Sequence, residues 1–154
     1  MKTVTGLLLP PLERARRQQR KRRAVLRFLR EHIWSTQHIL QEVMGLAARQ
    51  SGHRSLSLLE KEGVIRRHSF QSLAGPITVW GITAHGQALA FELNSEHPVT
   101  AYFEPSRVAE QTIRHELDLQ RIRLKAEASG WRDWQSGDRL GAVAALSPAL
   151  TCAR

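Results

Sequence analysis

The feature that most restricts the fold is a change in hydrophobic period at Gly63. Before it, apolar residues recur at intervals of three and four; after it they alternate. A 3.6-residue period sets one face of a helix against a core, and a period of two does the same for a strand, so one element cannot satisfy both. Three helices are read before the break. Residues 12–32 carry Val25, Leu26, Phe28 and Leu29 as one stripe. Residues 36–44 carry Ile39, Leu40 and Val43, with Ser35 or Thr36 as the N-cap and Gly45 as the stop. Residues 46–62 place Gly52, Leu56 and Leu59 on one stripe, with Leu58 adjacent. The opposite stripe is Gln50, Arg54, Ser57 and Lys61, with Arg49 and His53 beside it.

After the break, Val64 to Phe70 and Ile77 to Ile82 read as two strands. Gln71 to Pro76 reads as the turn between them, with Gln71 and Ser72 at its tip. Thr83 then caps a helix over 84–93, with Leu89, Ala90 and Leu93 facing inward. Proline and polar residues make 94–106 the linker. An amphipathic helix follows over 108–129, built on Ile113, Leu117, Leu119, Ile122 and Leu124 and ended by Gly130. Residues 131–134 read as a short strand or turn, and 141–154 have no clear period. The expected organisation is therefore a flexible 1–14, a compact domain over 15–93, the linker, and a C-terminal segment over 107–154. The fold class is α+β, mostly α. The order helix, helix-turn-helix, hairpin, helix is that of a winged helix-turn-helix domain with a C-terminal helical extension.

Charge indicates the partner. The chain has 154 residues and a net charge of +9. Ten of its 23 Lys and Arg, against two acids, fall within residues 1–32. A block of that sign creates a field suited to a polyanion. Arg16, Arg17, Arg20, Lys21, Arg22 and Arg23 are expected to contact phosphate, with Arg66 and Arg67 clamping it beside the wing, and Lys61 adding to them. Ser35 and Thr36, at a helix N-terminus, are expected to present phosphate with amides. A helix fits the major groove and reads base edges with its N-terminal half. That assigns base readout to Arg49, Gln50, His53, Arg54 and Ser57: Arg can fork onto guanine and Gln onto adenine. Trp80 is expected in the core rather than stacked on a base.

Other chemistry finds little support. No apolar run approaches the length of a membrane span. Leu7 to Leu9 is too short for a signal core, and the charge follows it rather than preceding it. A cytoplasmic location is expected. The single cysteine, Cys152, can form no internal disulfide, and the seven histidines include no His-x-x-x-His pair. No cofactor and no metal are expected.

Two stretches, Arg54–Arg67 (RSLSLLEKEGVIRR) and Val79–Leu89 (VWGITAHGQAL), resemble the corresponding blocks of many winged-helix regulators. His115–Leu124 (HELDLQRIRL), Gly130–Trp134 (GWRDW) and the Arg139-Leu140 pair are similar to plasmid replication-relaxation proteins, including MobC-type mobilisation proteins. The resemblance spans residues 22–140. It implies a His-containing helix that follows the winged domain and opens a nuclease-like fold. Such nucleases need acidic metal ligands on strands. Here Pro148 is followed by Ala149, and no Glu-x-Lys comes after it. Glu116, the one acid that could serve on the helix, reads as solvated. The chain is therefore expected to be a truncated member or a stand-alone accessory, without nuclease activity. The leading expectation is a double-stranded DNA-binding protein of a mobile element, acting in plasmid replication or mobilisation or as a transcriptional regulator. A homodimer is expected through the His115 helix, with a relaxase or replication protein as a further partner and no membrane. The alternatives are a metal-dependent relaxase or nickase, and a relaxosome adaptor that does not bind DNA.

Overall fold

The computed structural model describes residues 10–90, 101–132 and 134. Helix α1 runs over Pro11–His32. Pro11 starts it because proline fixes a helical φ where no N–H partner is needed. Only its second half buries apolar residues: Val25, Leu26, Phe28 and Leu29. The helix stops at Ile33, whose φ of 68° leaves the helical region. This conformation is rare for a β-branched residue. Two backbone bonds hold it: the Ile33 N–H donates to the Leu29 carbonyl at 2.7 Å, and the Ile33 carbonyl accepts from the Ile82 N–H at 2.9 Å.

Trp34–Thr36 forms strand β1. The sequence reading had Ser35 or Thr36 capping a helix. Instead Ser35 is a fully buried strand residue, and Thr36, although at the N-cap position of the next helix, makes no side-chain cap bond. Three residues are too few to show a period, so this strand left no pattern to read. Helices α2 (Gln37–Val43) and α3 (Arg49–Lys61) follow, α3 starting three residues later than the expected position 46. Both end on a glycine with positive φ, Gly45 at 66° and Gly63 at 72°. In each case the residue after the glycine bonds back to the last turn: Leu46 N–H to the Gln41 carbonyl at 2.9 Å, Val64 N–H to the Leu59 carbonyl at 3.2 Å.

Strands β2 (Ile65–Ser72) and β3 (Gly75–Ile82) pair from Ile65 with Ile82 out to Ser72 with Gly75. The antiparallel sheet has the order β1-β3-β2. This register corrects the expected turn. Gln71 and Ser72 are paired with Pro76 and Gly75, and the tip of the wing is Leu73-Ala74. Pro76 is accommodated because β1 pairs only with residues 79–81, leaving β3 a partner on one side there.

Helix α4 (Ala84–Ala90) buries Gly86 and Gln87, not Leu89, which is 49% exposed. The reason is close approach: a Cβ on Gly86 would come within 2.0 Å of the Val64 carbonyl oxygen. The helix therefore meets the body through its smallest residue. Leu93 and residues 91–100 lie outside the described residues. Beyond them, the stretch that reads as linker is anchored on the sheet by Phe103. Phe103 is fully buried against Gly81, and its N–H donates to the Ile82 carbonyl at 2.8 Å. Two 3₁₀ turns follow: Pro105–Arg107 at the end of the expected linker, and Glu110–Thr112 where the first turn of the last helix was expected. That helix, α5, spans Ile113–Ala128.

The described residues divide into two compact units between Gln120 and Arg121. In the first, α1 to α4 and the sheet share a core of Leu29, Ile39, Leu40, Leu56, Val64, Ile65, Trp80 and Ile82. Gln120 joins that unit: its Nε2 donates to the Trp34 carbonyl at 2.9 Å, and its Oε1 accepts from the Ser35 hydroxyl at 2.6 Å. These bonds satisfy the edge strand with side chains rather than with another strand. In the second unit, Arg123 pairs with Glu127 at 2.8 Å and Gly130, at φ 91°, ends the helix. Trp131 is 74% exposed, and 131, 132 and 134 have no regular structure. The tail over 141–154 lies outside the described residues.

Candidate nucleic-acid interface

The turn between α2 and α3 is held by one side chain. Gln41 Nε2 donates to the carbonyls of Leu46 at 3.4 Å and Ala47 at 3.2 Å. Gln41 is buried, and it lies where a Cβ on Gly52 would stand 2.9 Å from its Cγ. Gly52 thus lets α3 sit close to α2, and Gln41 fixes the turn that orients α3. Gln37 Nε2 adds a bond to the Arg49 carbonyl at 3.0 Å. Neither glutamine is singled out by the sequence, because a polar residue beside apolar positions looks like an ordinary surface residue until its partner is known.

Held this way, α3 buries Gly52, Ser55, Leu56 and Leu59 and exposes Arg49, Gln50, His53, Arg54 and Lys61. Ser57 is half-buried, with its hydroxyl 3.4 Å from His53 Nδ1. On the wing side of α3, His53 meets the Trp80 ring edge-on, with centroids 6.2 Å apart. The Arg67 guanidinium lies 5.7 Å from that ring, and the Arg67 N–H donates to Glu60 Oε1 at 3.3 Å. Trp80 is 1% exposed, a core residue whose polar edge has no partner among the described residues.

Between α3 and the wing lies a concavity of about 640 Å³. Thr36, Gln37 and His38 border it at the start of α2, Arg49 and His53 along α3, and Arg67, Pro76 and Thr78 on the sheet. No carboxylate is among its lining residues. Gln37, His38 and Thr78 were missed by the sequence reading, since only the folded sheet brings them beside α3. Ser69 and Thr78 hydroxyls, 2.9 Å apart across β2 and β3, continue the polar surface along the wing. Leu73 at the tip is fully exposed.

Several expected phosphate contacts are placed elsewhere. Ser35 is engaged with Gln120 inside the fold. Arg66, one residue from Arg67, points to the opposite face of the sheet; its Nη2 donates to the Phe103 carbonyl at 2.7 Å and its guanidinium lies 5.4 Å from the Phe103 ring. Arg22 is paired with Glu62 at 3.2 Å, joining α1 to the end of α3. Arg17 is paired with Glu13 at 3.5 Å. Arg16, Arg20 and Arg23 are exposed and Lys21 half-buried on α1, and none of them lines the concavity. Gln71 and Ser72 lie on the wing as strand residues, the Ser72 hydroxyl donating to the Gly75 carbonyl at 2.7 Å.

Among the described residues no group of three or more His, Cys, Asp or Glu is placed to hold a metal, and no helix is long and apolar enough to cross a membrane. Glu116 is half-buried on α5; Asp133 and Asp138 lie outside the described residues.

No family model matches the sequence, and no curated protein matches it, so the resemblance to replication-relaxation proteins has no counterpart there. Among solved structures the chain is similar to an apo-form mutant of ZitR from Lactococcus lactis, with 14% identity and a TM-score of 0.39 over 88% of this chain and 82% of that one.

Proposed function

We propose that this chain binds double-stranded DNA and reads its sequence with α3. The observation that carries the reading is the exposed N-terminal half of that helix. Arg49, Gln50, His53 and Arg54 all face solvent there, beside an acid-free concavity and a two-stranded wing. A helix of this kind fits the major groove, where Arg can pair bidentately with guanine and Gln with adenine. Arg67 and the polar residues of the wing suit the adjacent backbone. The role that follows is that of a DNA-binding regulator. The finer setting, a mobile element's replication or mobilisation system, is supported by the sequence resemblance alone.

Duplex binding measured against salt tests this. Lys61 and Arg67, the cations left to contact phosphate, should give a slope of log K against log salt of about −2, two phosphates at roughly 0.9 each. A preferred site, selected from a random duplex pool, should then separate readout from docking. The double variant R49A/R54A should lose roughly 30-fold or more on that site, from two bidentate contacts at about 1–3 kcal/mol each, and much less on random DNA. An equal loss on both would make these residues phosphate contacts, and a flat salt slope would end the reading altogether.

A further inference from the structure

Helix α1 has two opposed faces. Val25, Leu26, Phe28 and Leu29 point into the core. Arg16, Arg20 and Arg23 recur at intervals of four and three, which at 100° per residue places them within a narrow arc on the other side. All three are exposed and, among the described residues, none has an ion-pair partner. Glu13 lies on the same face but is paired with Arg17, and Glu62 is paired with Arg22. Like charges at such spacing repel along a helix. An ordered row of uncompensated guanidiniums is therefore stabilised by an anion that spans it.

The stripe is also remote from the reading end of α3. The Arg22–Glu62 pair pins α1 to the C-terminal end of α3. Arg49 lies at the other end, and the 13 residues of α3 make that separation about 20 Å. Six base pairs of duplex, at roughly 3.4 Å each, cover the same distance. A membrane surface does not fit the stripe, because an interfacial helix must bury its apolar face in lipid and α1 has already buried its own in the core.

We propose that the arginine stripe of α1 is a second DNA-backbone surface, so that one chain holds two stretches of duplex phosphate at once. This rests on the reading of α3 as the first surface. The separation of about six base pairs assigns the second stretch to the flank of the same duplex.

The test compares the wild-type chain with R16Q/R20Q/R23Q on three substrates: a hairpin duplex of about 10 bp carrying the preferred site, a 40-bp duplex centred on it, and a bead-bound 10-bp hairpin challenged to capture a labelled second duplex. The variant should bind the short hairpin within twofold of wild type. It should lose at least tenfold on the 40-bp duplex; a loss confined to capture of the second duplex would mean that a separate molecule occupies the stripe, and would overturn the assignment to the flank. The salt slope of the affected step should become shallower by about 2.7, three phosphates at roughly 0.9 each. R16K/R20K/R23K should retain binding, since phosphate accepts a point charge, and this variant controls for any loss of helix α1. An equal loss on the short hairpin, or no loss on any substrate, would overturn the proposal. R49A/R54A supplies the separate control: if it leaves the short hairpin unaffected, the reading of α3 has failed, whatever the stripe does.

Discussion

Replacing Phe103 by Ala should destabilise the chain far more than a substitution in a connecting segment would. The side chain is fully buried, lying over Gly81 on the face of the sheet opposite α3. Its backbone is tied to Ile82 and Arg66, and those bonds survive the substitution. What is lost is the transfer free energy of the ring and the contacts around the space it leaves, about 3–5 kcal/mol for a buried Phe. Against a total stability of about 5–15 kcal/mol, that is a large share. At roughly 3–5 °C per kcal/mol for a unit of this size, the midpoint of thermal unfolding should fall by about 10–25 °C. Phe103→Leu, which keeps most of the volume, should cost about 1–1.5 kcal/mol. Gly81→Ala should resemble Phe103→Ala, because its Cβ would stand 2.0 Å from the ring. The two together should cost less than their sum, since both break one contact. Urea unfolding followed by tryptophan fluorescence, with thermal unfolding beside it, measures each value. A loss below about 1 kcal/mol for Phe103→Ala would show that residues 101–107 behave as a connector and that the packing argument is mistaken.

Two further substitutions probe the supports of the reading helix and of the edge strand. Gly52→Ala gains about 1 kcal/mol of helix propensity. It must displace Gln41, however, and with it two bonds worth together about 1–3 kcal/mol. The net expectation is a loss of about 1 kcal/mol in urea unfolding together with weaker binding to the preferred site; a net gain would show that the turn does not depend on Gln41. Ser35→Ala leaves the buried Gln120 Oε1 without its donor and should cost about 1–3 kcal/mol, and a change within 0.5 kcal/mol would mean that the pair contributes nothing to holding α5 on β1.

The long periodic elements were legible because burial and period coincide in them. Leu56 and Leu59 on one stripe of α3, and the alternation in the first half of β3 before its fully buried end at Val79–Ile82, are patterns that point to one element type. The glycine stops at Gly45, Gly63 and Gly130 were legible for a similar reason, since each turn needs positive φ. What escaped was set by partners distant in sequence. Ser35 looked like a helix cap because nothing local reveals that β3, some 45 positions later, completes a strand there. Arg66 and Arg67 looked equivalent, yet alternation sends them to opposite faces, one to Phe103 and one to Trp80. The sequence does carry one local sign of Phe103. Gly81 lies between Trp80 and Ile82 within a strand, and a glycine there marks a close approach by another segment. The segment that makes this approach is the one carrying Phe103.

These placements separate the residues that hold the fold from those assigned to reading DNA. Gln41, Gly52 and Gln37 fix the position of α3 through contacts with α2 and the turn. Gln50 and Arg54 project from the same helix with no role in those contacts. Exposed substitutions of that kind usually change stability by less than about 0.5 kcal/mol. A change of base preference at Gln50 or Arg54 is therefore nearly free for the fold. A shift of α3 by a fraction of an ångström, from a change at Gly52, would misplace every reading residue together. Readout tolerates errors of only about 0.5 Å in its supporting geometry. On this argument specificity can diverge at the exposed positions of α3 while its polar latch stays fixed, and the two classes of variant should part cleanly. Changes at Gln50 and Arg54 should alter which sequence is bound, whereas changes at Gly52 and Gln41 should weaken binding to all preferred sequences.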